Sequence, residues 1–259
     1  MRFGHALYMT PSSRIRDPLG DFVNQYTGYT AGKTIHVHSY KLQAQRPFFK
    51  GLSFLVAYAY QREARTEFFD DRAEFARDYS WRFLPSARHR LNHVLTYQIP
   101  VGKGRWLLPN AHGVTQGVAG GWQLTTTSRW YSGRLLQFGQ SLSVSGTPLL
   151  DSPERGRWFN TGVFARLPDA DRNVPRSNPY TYDGVSGPGT LQTDMTLSKS
   201  FAITERVKLE ARIESYNTFN QLNWDNPIVD FNNTNFGKVI NKRAEYIGRE
   251  MQFGIKVSF

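Results

Sequence analysis

Two histidines and a group of carboxylates are the side chains of this sequence whose types and spacing could bind a metal ion. His36 and His38 are separated by one residue, so they would share one strand face and could bind a metal together with a third ligand. Asp70, Asp71 and Glu74 could bind Ca²⁺, but their spacing is not that of a dedicated calcium loop. We therefore expect polar strand-end and loop residues at both places, and no metal site.

Residues for covalent catalysis are missing or wrongly placed. The sequence contains no cysteine, which excludes disulfides, thiolate metal sites and cysteine nucleophiles. The pairs Ser132-Gly133 and Ser145-Gly146 do not sit in the strand-turn-helix motif that exposes a catalytic serine. No glycine-rich phosphate loop follows an apolar strand. We therefore expect no enzyme, no catalytic residue and no cofactor.

Aromatic side chains are concentrated in the segments that connect the apolar stretches. Rings mixed with arginines on loops could contact a solute through stacking and cation–π interactions. The alternative is that these rings pack the loops against each other. The candidate ligand contacts come from the connecting segments at residues 62–88 and 133–191, and they are Trp81, Trp158, Phe159, Tyr180 and Tyr182.

Alternation of apolar and polar residues with a period of two predicts seven β-strands. They cover approximately residues 34–45, 52–60, 91–99, 122–130, 194–203, 206–216 and 251–259. One face of the sixth segment carries four charges of alternating sign, Lys208, Glu210, Arg212 and Glu214. Such charges are costly inside a soluble sandwich but suit a water-filled lumen, to which we also assign Lys256 of the last segment.

The last segment has the pattern of a strand that crosses a bilayer. Its apolar residues occupy every second position from Met251 to Phe259, over the nine residues or so that a tilted strand needs. Phe253 and Phe259 resemble the signal that the outer-membrane barrel assembly machinery reads. Trp122 and Trp130 lie at the two ends of another strand face, as in the aromatic belts of a barrel.

The connections between the seven segments alternate between short and long, although the one from Pro100 to Gly120 is intermediate in length and rich in glycine. If the last strand ends in the periplasm, every short connection lies on the periplasmic side and every long one outside the cell. This is the layout of outer-membrane barrels, and a soluble all-β domain has no reason to keep this phase through seven strands.

Composition narrows the class of protein further. The 259 residues are 39% apolar and 14% aromatic, which suits a barrel with one apolar face, one wet face and aromatic belts. The net charge is +11, but lysines and arginines are scattered along the chain, so we expect no nucleic-acid partner. The sequence contains no run of about 18 apolar residues, so it predicts no membrane-spanning helix. Because residues 1–10 do not have the pattern of a signal peptide, we expect a fragment of a longer protein.

Several stretches together resemble the C-terminal barrel of TonB-dependent receptors, in particular the Oar-like group common in acidobacteria. They are GLSFLVAYAYQ (51–61), HRLNHVLTYQIPVGKGR (89–105), GGWQLTTTSRWYSG (120–133), RWFNTGVF (157–164), GPGTLQTDMTLSKSFAITERVKLEARIESYNTFN (187–220), NFGKV (235–239) and MQFGIKVSF (251–259). The order and spacing of these stretches indicate this family more specifically than any single stretch does.

The resemblance implies a Gram-negative outer-membrane location and a 22-stranded barrel that imports or exports a bulky solute. It also implies a plug domain and a contact with the energiser protein TonB, both through an N-terminal part that this sequence lacks. We therefore expect an all-β, antiparallel partial barrel of about seven strands over residues 34–259, in contact with membrane lipid. Residues 1–33 would be an extracellular loop or the start of the fragment. The alternatives are another porin-like channel or a secreted carbohydrate-binding β-sandwich.

Overall fold

The computed structural model describes residues 7–16, 22–28, 35–67, 80–139, 142–166, 181–204 and 206–259. The described elements, in chain order, are β1 (Leu7–Arg16), β2 (Phe22–Gly28), β3 (Ile35–Phe49), β4 (Leu52–Glu67), β5 (Ser80–Phe83), β6 (His89–Gln98), α1 (Gly113–Ala119), β7 (Trp122–Tyr131), β8 (Leu135–Gln137), β9 (Leu142–Val144), a 3-10 turn (Thr161–Val163), β10 (Phe164–Arg166), β11 (Thr181–Ser186), β12 (Thr190–Ala202), β13 (Lys208–Tyr216) and β14 (Glu250–Ser258). No helix in the described part of the chain is long and apolar enough to cross a membrane.

One large antiparallel sheet dominates the structure. Its strand order is β3-β4-β6-β7-β12-β13-β14, so each strand pairs with the next long strand along the chain, and the short β5 pairs with the end of β4. Each of these seven long strands overlaps one of the seven segments that the period-two pattern predicted, although β3 and β4 end four and seven residues later than predicted, and the all-β antiparallel class is confirmed. Within the first 33 residues, β1 and β2 pair with each other and not with the large sheet.

Strict register across the sheet sorts the side chains onto two faces. Ala211 pairs with Ile255 and Ile213 with Phe253, so the apolar residues of neighbouring strands share one side, the apolar face. Leu42, Phe253 and Ile255 on this face are 69%, 76% and 77% exposed, and no second sheet of the described residues covers them. A β-sandwich would bury such a face, so the sandwich alternative does not fit this architecture.

Polar side chains occupy the opposite side, the polar face. Glu210 pairs with Lys256, and Glu214 pairs with Gln252. Ser128 and Thr193 are polar residues on the apolar face, and they satisfy each other. The hydroxyls of Ser128 and Thr193 lie 2.8 Å apart. Such pairing removes the cost of leaving a polar group unbonded in an apolar environment.

The two shortest and the two longest links between the long strands lie at opposite ends of the sheet, but the predicted alternation in length fails at the β6–β7 link, because residues 99–121 are at least as many as residues 68–88 between β4 and β6. The β3–β4 link is Lys50 and Gly51, both with positive φ, and the β12–β13 link spans 203–207. Both lie at the same end of the sheet as the β6–β7 link, residues 99–121, which contains α1. This is the short-link end. The other end, the long-link end, carries the described parts of the links 68–88, 132–189 and 217–249.

A hydrophobic core lies within the long links, outside the large sheet. Its buried members, which we call the loop core, are Leu136, Phe138, Leu142, Phe159, Phe164 and Val185. The Phe138 and Phe159 rings pack edge to face with centroids 5.0 Å apart. Phe236 joins from the 217–249 link, 5.2 Å from Phe159. Because both faces of the sheet are open, it is the long links that supply the tightly packed apolar interior.

Candidate functional site

A cavity of about 470 Å³, which we call the arginine cavity, opens on the polar face at the long-link end. Its base is a row of three paired residues, Arg90 on β6, Tyr131 on β7 and Thr190 on β12. The remaining walls come from residues that precede β6, follow β7 or belong to the last long link: Pro85, Ser86, Ala87, Ser132, Arg134, Arg243, Glu245 and Tyr246.

Backbone contacts between links hold the upper part of this cavity in place. Ala87 and Arg134 form an isolated β-bridge, and the backbone N–H of Gly187 donates to the Arg134 carbonyl over 2.8 Å. A Cβ on Gly133 would stand 1.7 Å from the Gly187 carbonyl oxygen, so this close crossing of two links requires glycine. Arg243 is fixed because its side chain donates to the carbonyls of Trp224 and Pro188.

Positive charge exceeds negative charge in the arginine cavity. Three guanidinium groups, of Arg90, Arg134 and Arg243, face one carboxylate, and Glu245 pairs with Arg243 at 3.9 Å. Arg90 and Arg134 are exposed. Guanidinium groups bind carboxylates and phosphates through paired hydrogen bonds, and the rings of Tyr131 and Tyr246 add stacking surfaces. The arrangement is therefore suited to a solute that carries both acidic groups and flat apolar parts.

A second cavity, of about 480 Å³, adjoins the first along the polar face. The two share Tyr131, Glu245 and Tyr246. The second cavity adds Arg129, Gln192, Tyr216, Asn217, Ile247 and Glu250. Arg129 lies 3.7 Å from the carboxylate of Asp194. The surface thus changes from basic to mixed charge as it descends from the long links onto the sheet.

The charged residues that the sequence assigned to a lumen all lie on the polar face. They are Lys208, Glu210, Arg212, Glu214 and Lys256. Arg212 and Glu214 form an ion pair of 3.1 Å, and Gln252 and the Tyr216 hydroxyl also donate to Glu214. The side chain of Arg212 lies across Gly254, where an added Cβ would come within 3.0 Å of its Nε. These contacts place the charges on a common surface that continues from the two cavities.

Those aromatic residues proposed as ligand contacts whose side chains the structure describes lie outside the arginine cavity. Phe159 is fully buried in the loop core, and Trp158 packs against that core with its indole N–H donating 2.7 Å to the Ser186 carbonyl. Tyr182 packs edge to face on Phe138, and burial raises its pKa to about 12. These three rings therefore do the packing that the sequence left as the alternative. The side chain of Trp81 and all of Tyr180 lie outside the described residues.

Sequence reasoning did not single out the arginines and tyrosines of the arginine cavity. Arg90 and Tyr131 each lie one residue beyond the end of a predicted strand, beside a long link, and the extended alternation would have placed both on the polar face. Arg134, Arg243 and Tyr246 lie in long links, where no periodic pattern exists. Their convergence depends on strand register and on how the links fold, and neither can be read from spacing.

The histidine pair lies on the apolar face, beyond the last aromatic row at the long-link end. His36 and His38 line a cavity of about 210 Å³ with Arg62, Ala64 and Phe83. In the part of the chain that the structure describes, no three histidine, aspartate or glutamate side chains are grouped to hold a metal ion. The acidic group Asp70, Asp71 and Glu74 lies outside the described residues.

An aspartate and two arginines connect the long links to the sheet beside that cavity. Asp183 on β11 accepts from Arg62 at 3.0 Å and from Arg88, and both guanidinium groups lie over the ring of Phe83. Burial alone would raise the pKa of Asp183, but the hydrogen bond from Arg88 and the two positive charges outweigh it and hold that pKa below its usual range. The ion pairs thus tie β11 to β4.

Aromatic rings form a row at each end of the apolar face. At the long-link end, Tyr40, Tyr60, His89 and Trp130 follow one another across four strands with centroids 5.1 to 6.5 Å apart. At the short-link end, the ammonium group of Lys199 lies over Trp122 and Phe201 at 4.7 and 4.8 Å. The two tryptophans that the sequence assigned to opposite belts therefore lie in these two rows.

Comparison with known proteins gives one result. A family model described as an outer membrane beta barrel domain matches residues 7–252, which is nearly the whole chain. No curated protein matches the chain. No solved structure matches it either.

Proposed function

The chain belongs to the outer membrane beta barrel domain family and is located in the outer membrane, and from this premise we propose that it forms part of the barrel of a TonB-dependent receptor that imports or exports a bulky solute. The motifs that resemble the Oar-like receptors support this assignment through their order along residues 51–259. The position of the two shortest links at one end of the sheet and the two longest at the other supports it as well. We assign the chain no enzymatic role.

In this proposal the apolar face contacts lipid and the polar face lines the lumen. Trp122 and Trp130 are eight residues apart on one strand, which is about 26 Å along the strand and about 20 Å along the membrane normal for a tilt of about 40°. That separation is close to the apolar band of roughly 25 Å between the aromatic belts of outer-membrane barrels. The short-link end then faces the periplasm and the long-link end faces outside the cell.

The observation that carries the proposal is the continuity between the polar face and the arginine cavity. A solute that enters from the long-link end would meet Arg90, Arg134 and Tyr246 first. It would then meet Arg129 and Gln192 in the second cavity, and the charged rows of β13 and β14 below. Binding groups that continue into a polar wall are what a transporter needs, because a solute must be captured and then passed on.

The remaining partners follow from the same proposal. Phe253 and Phe259 would be read by the barrel assembly machinery, since Phe253 projects from the apolar face of β14 and Phe259 follows that strand. Energy would come from TonB through a plug domain. We propose residues 34–259 as the barrel part of the chain and residues 1–33 as an extracellular segment.

Fractionation of cells tests the membrane role first. The chain, fused to an outer-membrane signal peptide, is expressed in a Gram-negative host, and we expect a protease-resistant band in the outer-membrane fraction. A soluble, monomeric periplasmic product that unfolds cooperatively would contradict the proposal. A sheet with one open apolar face is not stable in water unless something covers that face. A soluble product would therefore mean that the apolar face is covered, as in the soluble alternative.

Conductance in planar bilayers separates the receptor from a second candidate, a passive porin-like channel, which the uninterrupted polar face favours. Among the described residues, β3 and β14 each pair on one side only. Seven strands alone should therefore not enclose a pore, and we expect no steady single-channel steps from the receptor segment. Steady, reproducible steps with the chain alone would favour the porin-like channel and contradict the receptor proposal.

A further inference from the structure

The 99–121 link at the short-link end presents apolar side chains that nothing in the described structure covers. Trp106 is 81% exposed, Val114 83% and Val118 66%, and Leu107 and Leu108 are exposed beside Trp106. Val114 and Val118 are four residues apart in α1, so they lie on the same side of the helix. We call these five residues the apolar tip. An exposed cluster of this kind marks a surface that contacts either another molecule or lipid.

Side chains of the apolar face hold the end of α1 in place. Lys199 donates to the carbonyls of Val118 and Gly120 over 2.9 and 2.5 Å, and the indole N–H of Trp122 donates to the Val118 carbonyl over 2.9 Å. Lys199 and Trp122 pair directly and both project from the apolar face. The apolar tip is therefore continuous with the lipid-facing surface of the sheet, at the row of rings that ends it.

Internal hydrogen bonds make the link a compact unit. The side chain of Gln116 accepts from the Lys103 N–H and fills the space between Gly102 and Gly120, where a Cβ on either glycine would come within 2.6 Å of it. Further backbone bonds cross the loop, such as Leu107 N–H to Pro100 at 2.9 Å. A rigid link presents its exposed apolar groups at no further cost in conformational entropy.

The charge of the link matches that of a phospholipid surface. Residues 99–121 include Lys103 and Arg105 and no aspartate or glutamate. Tryptophan prefers the boundary between water and hydrocarbon, where its ring is buried and its N–H stays hydrated. Basic and apolar groups together are the composition of segments that lie in a membrane interface.

We propose that the apolar tip inserts into the headgroup region of the phospholipid leaflet at the short-link end and anchors the sheet at a fixed depth in the membrane. The occupant of this surface is phospholipid, with a preference for anionic headgroups. This inference rests on the outer-membrane location of the chain and does not require that the chain transports a solute.

Because the sequence has no cysteine, single cysteines can report depth directly. The full chain is placed in vesicles of phosphatidylethanolamine and phosphatidylglycerol, with Trp106→Cys or Val114→Cys carrying a bimane label. Ile255→Cys on the apolar face is the reference for burial in lipid, and Glu154→Cys in a long link is the reference for water. In preparations where the Ile255→Cys label is quenched by lipid nitroxides, we expect labels on the tip to be quenched most by nitroxides at the headgroup and upper acyl chain.

Two further variants separate lipid contact from a change in the fold of the link. The double change Val114→Asp/Val118→Asp should reduce lipid quenching at the Trp106→Cys position several-fold, while Asn110→Asp, an exposed site in the same link, should leave it unchanged. Lys103→Gln should lower the preference for phosphatidylglycerol by roughly five-fold, the factor for one cation at an anionic surface. Labels on the tip that respond only to a water-soluble quencher, like that of Glu154→Cys, would overturn the inference.

Discussion

At the scale of single residues, Lys199 shows how a charge is accommodated on an apolar face. The residue is buried, but its ammonium group donates to two carbonyls at the end of α1 and lies over two aromatic rings. Lys199 stands between Leu197 and Phe201 on the apolar face of β12. Its acceptors could not be predicted from the sequence, because Val118 and Gly120 are some 80 residues away along the chain.

Lys199→Met should therefore lower the free energy of unfolding although methionine is the more apolar residue. The Gly120 carbonyl loses its donor, whereas the Val118 carbonyl keeps the indole N–H of Trp122, and a loss of roughly 1–2 kcal/mol is expected for a buried acceptor left without a partner. Lys256→Met, on the polar face, is the matched control and should change stability by less than about 0.5 kcal/mol. Urea unfolding in lipid vesicles measures both. Equal stability of Lys199→Met and the unsubstituted chain would contradict this account.

Asp183 makes the docking of β11 dependent on pH. Since its pKa in the folded chain is lowered from the ordinary 3.8, the ion pairs with Arg62 and Arg88 stabilise the docked loop fully above that value. The stabilisation falls as the pH drops below 3.8 and is lost once the folded pKa is passed. Hydrogen exchange of the 181–186 peptide, corrected for intrinsic rates, should accelerate between pH 5 and pH 3. Asp183→Asn should exchange faster at pH 5 and lose the pH dependence, and an identical pH profile for the two chains would exclude this role.

At the scale of elements, the strands of the large sheet could be predicted because each has one apolar and one polar face. Because a period of two is a local property, it was sufficient to predict residues 206–216 and 251–259 as strands. The short strands β5, β8, β9, β10 and β11 were not predicted, because three to six residues in irregular links carry no such pattern. Pairing partners within the long links depend on contacts such as that of Asp183 with Arg62, which no local signal encodes.

At this scale we predict that the accessibility of consecutive residues to a water-soluble reagent alternates along β13. In outer membranes, a water-soluble maleimide should label Glu210→Cys and Arg212→Cys rapidly and Ala211→Cys and Ile213→Cys slowly, because consecutive residues point to opposite faces. A lipid-soluble maleimide should label all four. Uniform labelling by the water-soluble reagent would mean that the apolar face of β13 does not meet lipid.

At the scale of the whole molecule, the sheet and the long links cover their apolar side chains in different ways. The sheet exposes both of its faces and depends on lipid, whereas the loop core buries apolar side chains as a soluble domain does. The arginine cavity lies where the two meet, and that is why its residues could not be assembled from the sequence. Arg90 and Tyr131 are positioned by strand register, whereas Arg243 is positioned by bonds to Trp224 and Pro188.

The orientation of the molecule can be tested with one exposed site at each end of the sheet. A membrane-impermeant maleimide added to intact cells should label Glu154→Cys, in a long link, and should not label Lys103→Cys, in the 99–121 link. Permeabilising the outer membrane should make both sites reactive. Labelling of Lys103→Cys alone in intact cells would reverse the orientation that we propose.

The composition of the loop core constrains the order of events during assembly. Its buried residues all come from the 132–189 link, and Phe236 of the 217–249 link packs against Phe159 while the Trp158 N–H donates to the Gly237 carbonyl. With the long links outside the cell, as we propose, Phe236 reaches this core only when β14 has been delivered. Insertion of β14 would then serve as a timing signal, since it completes the packing around Phe159.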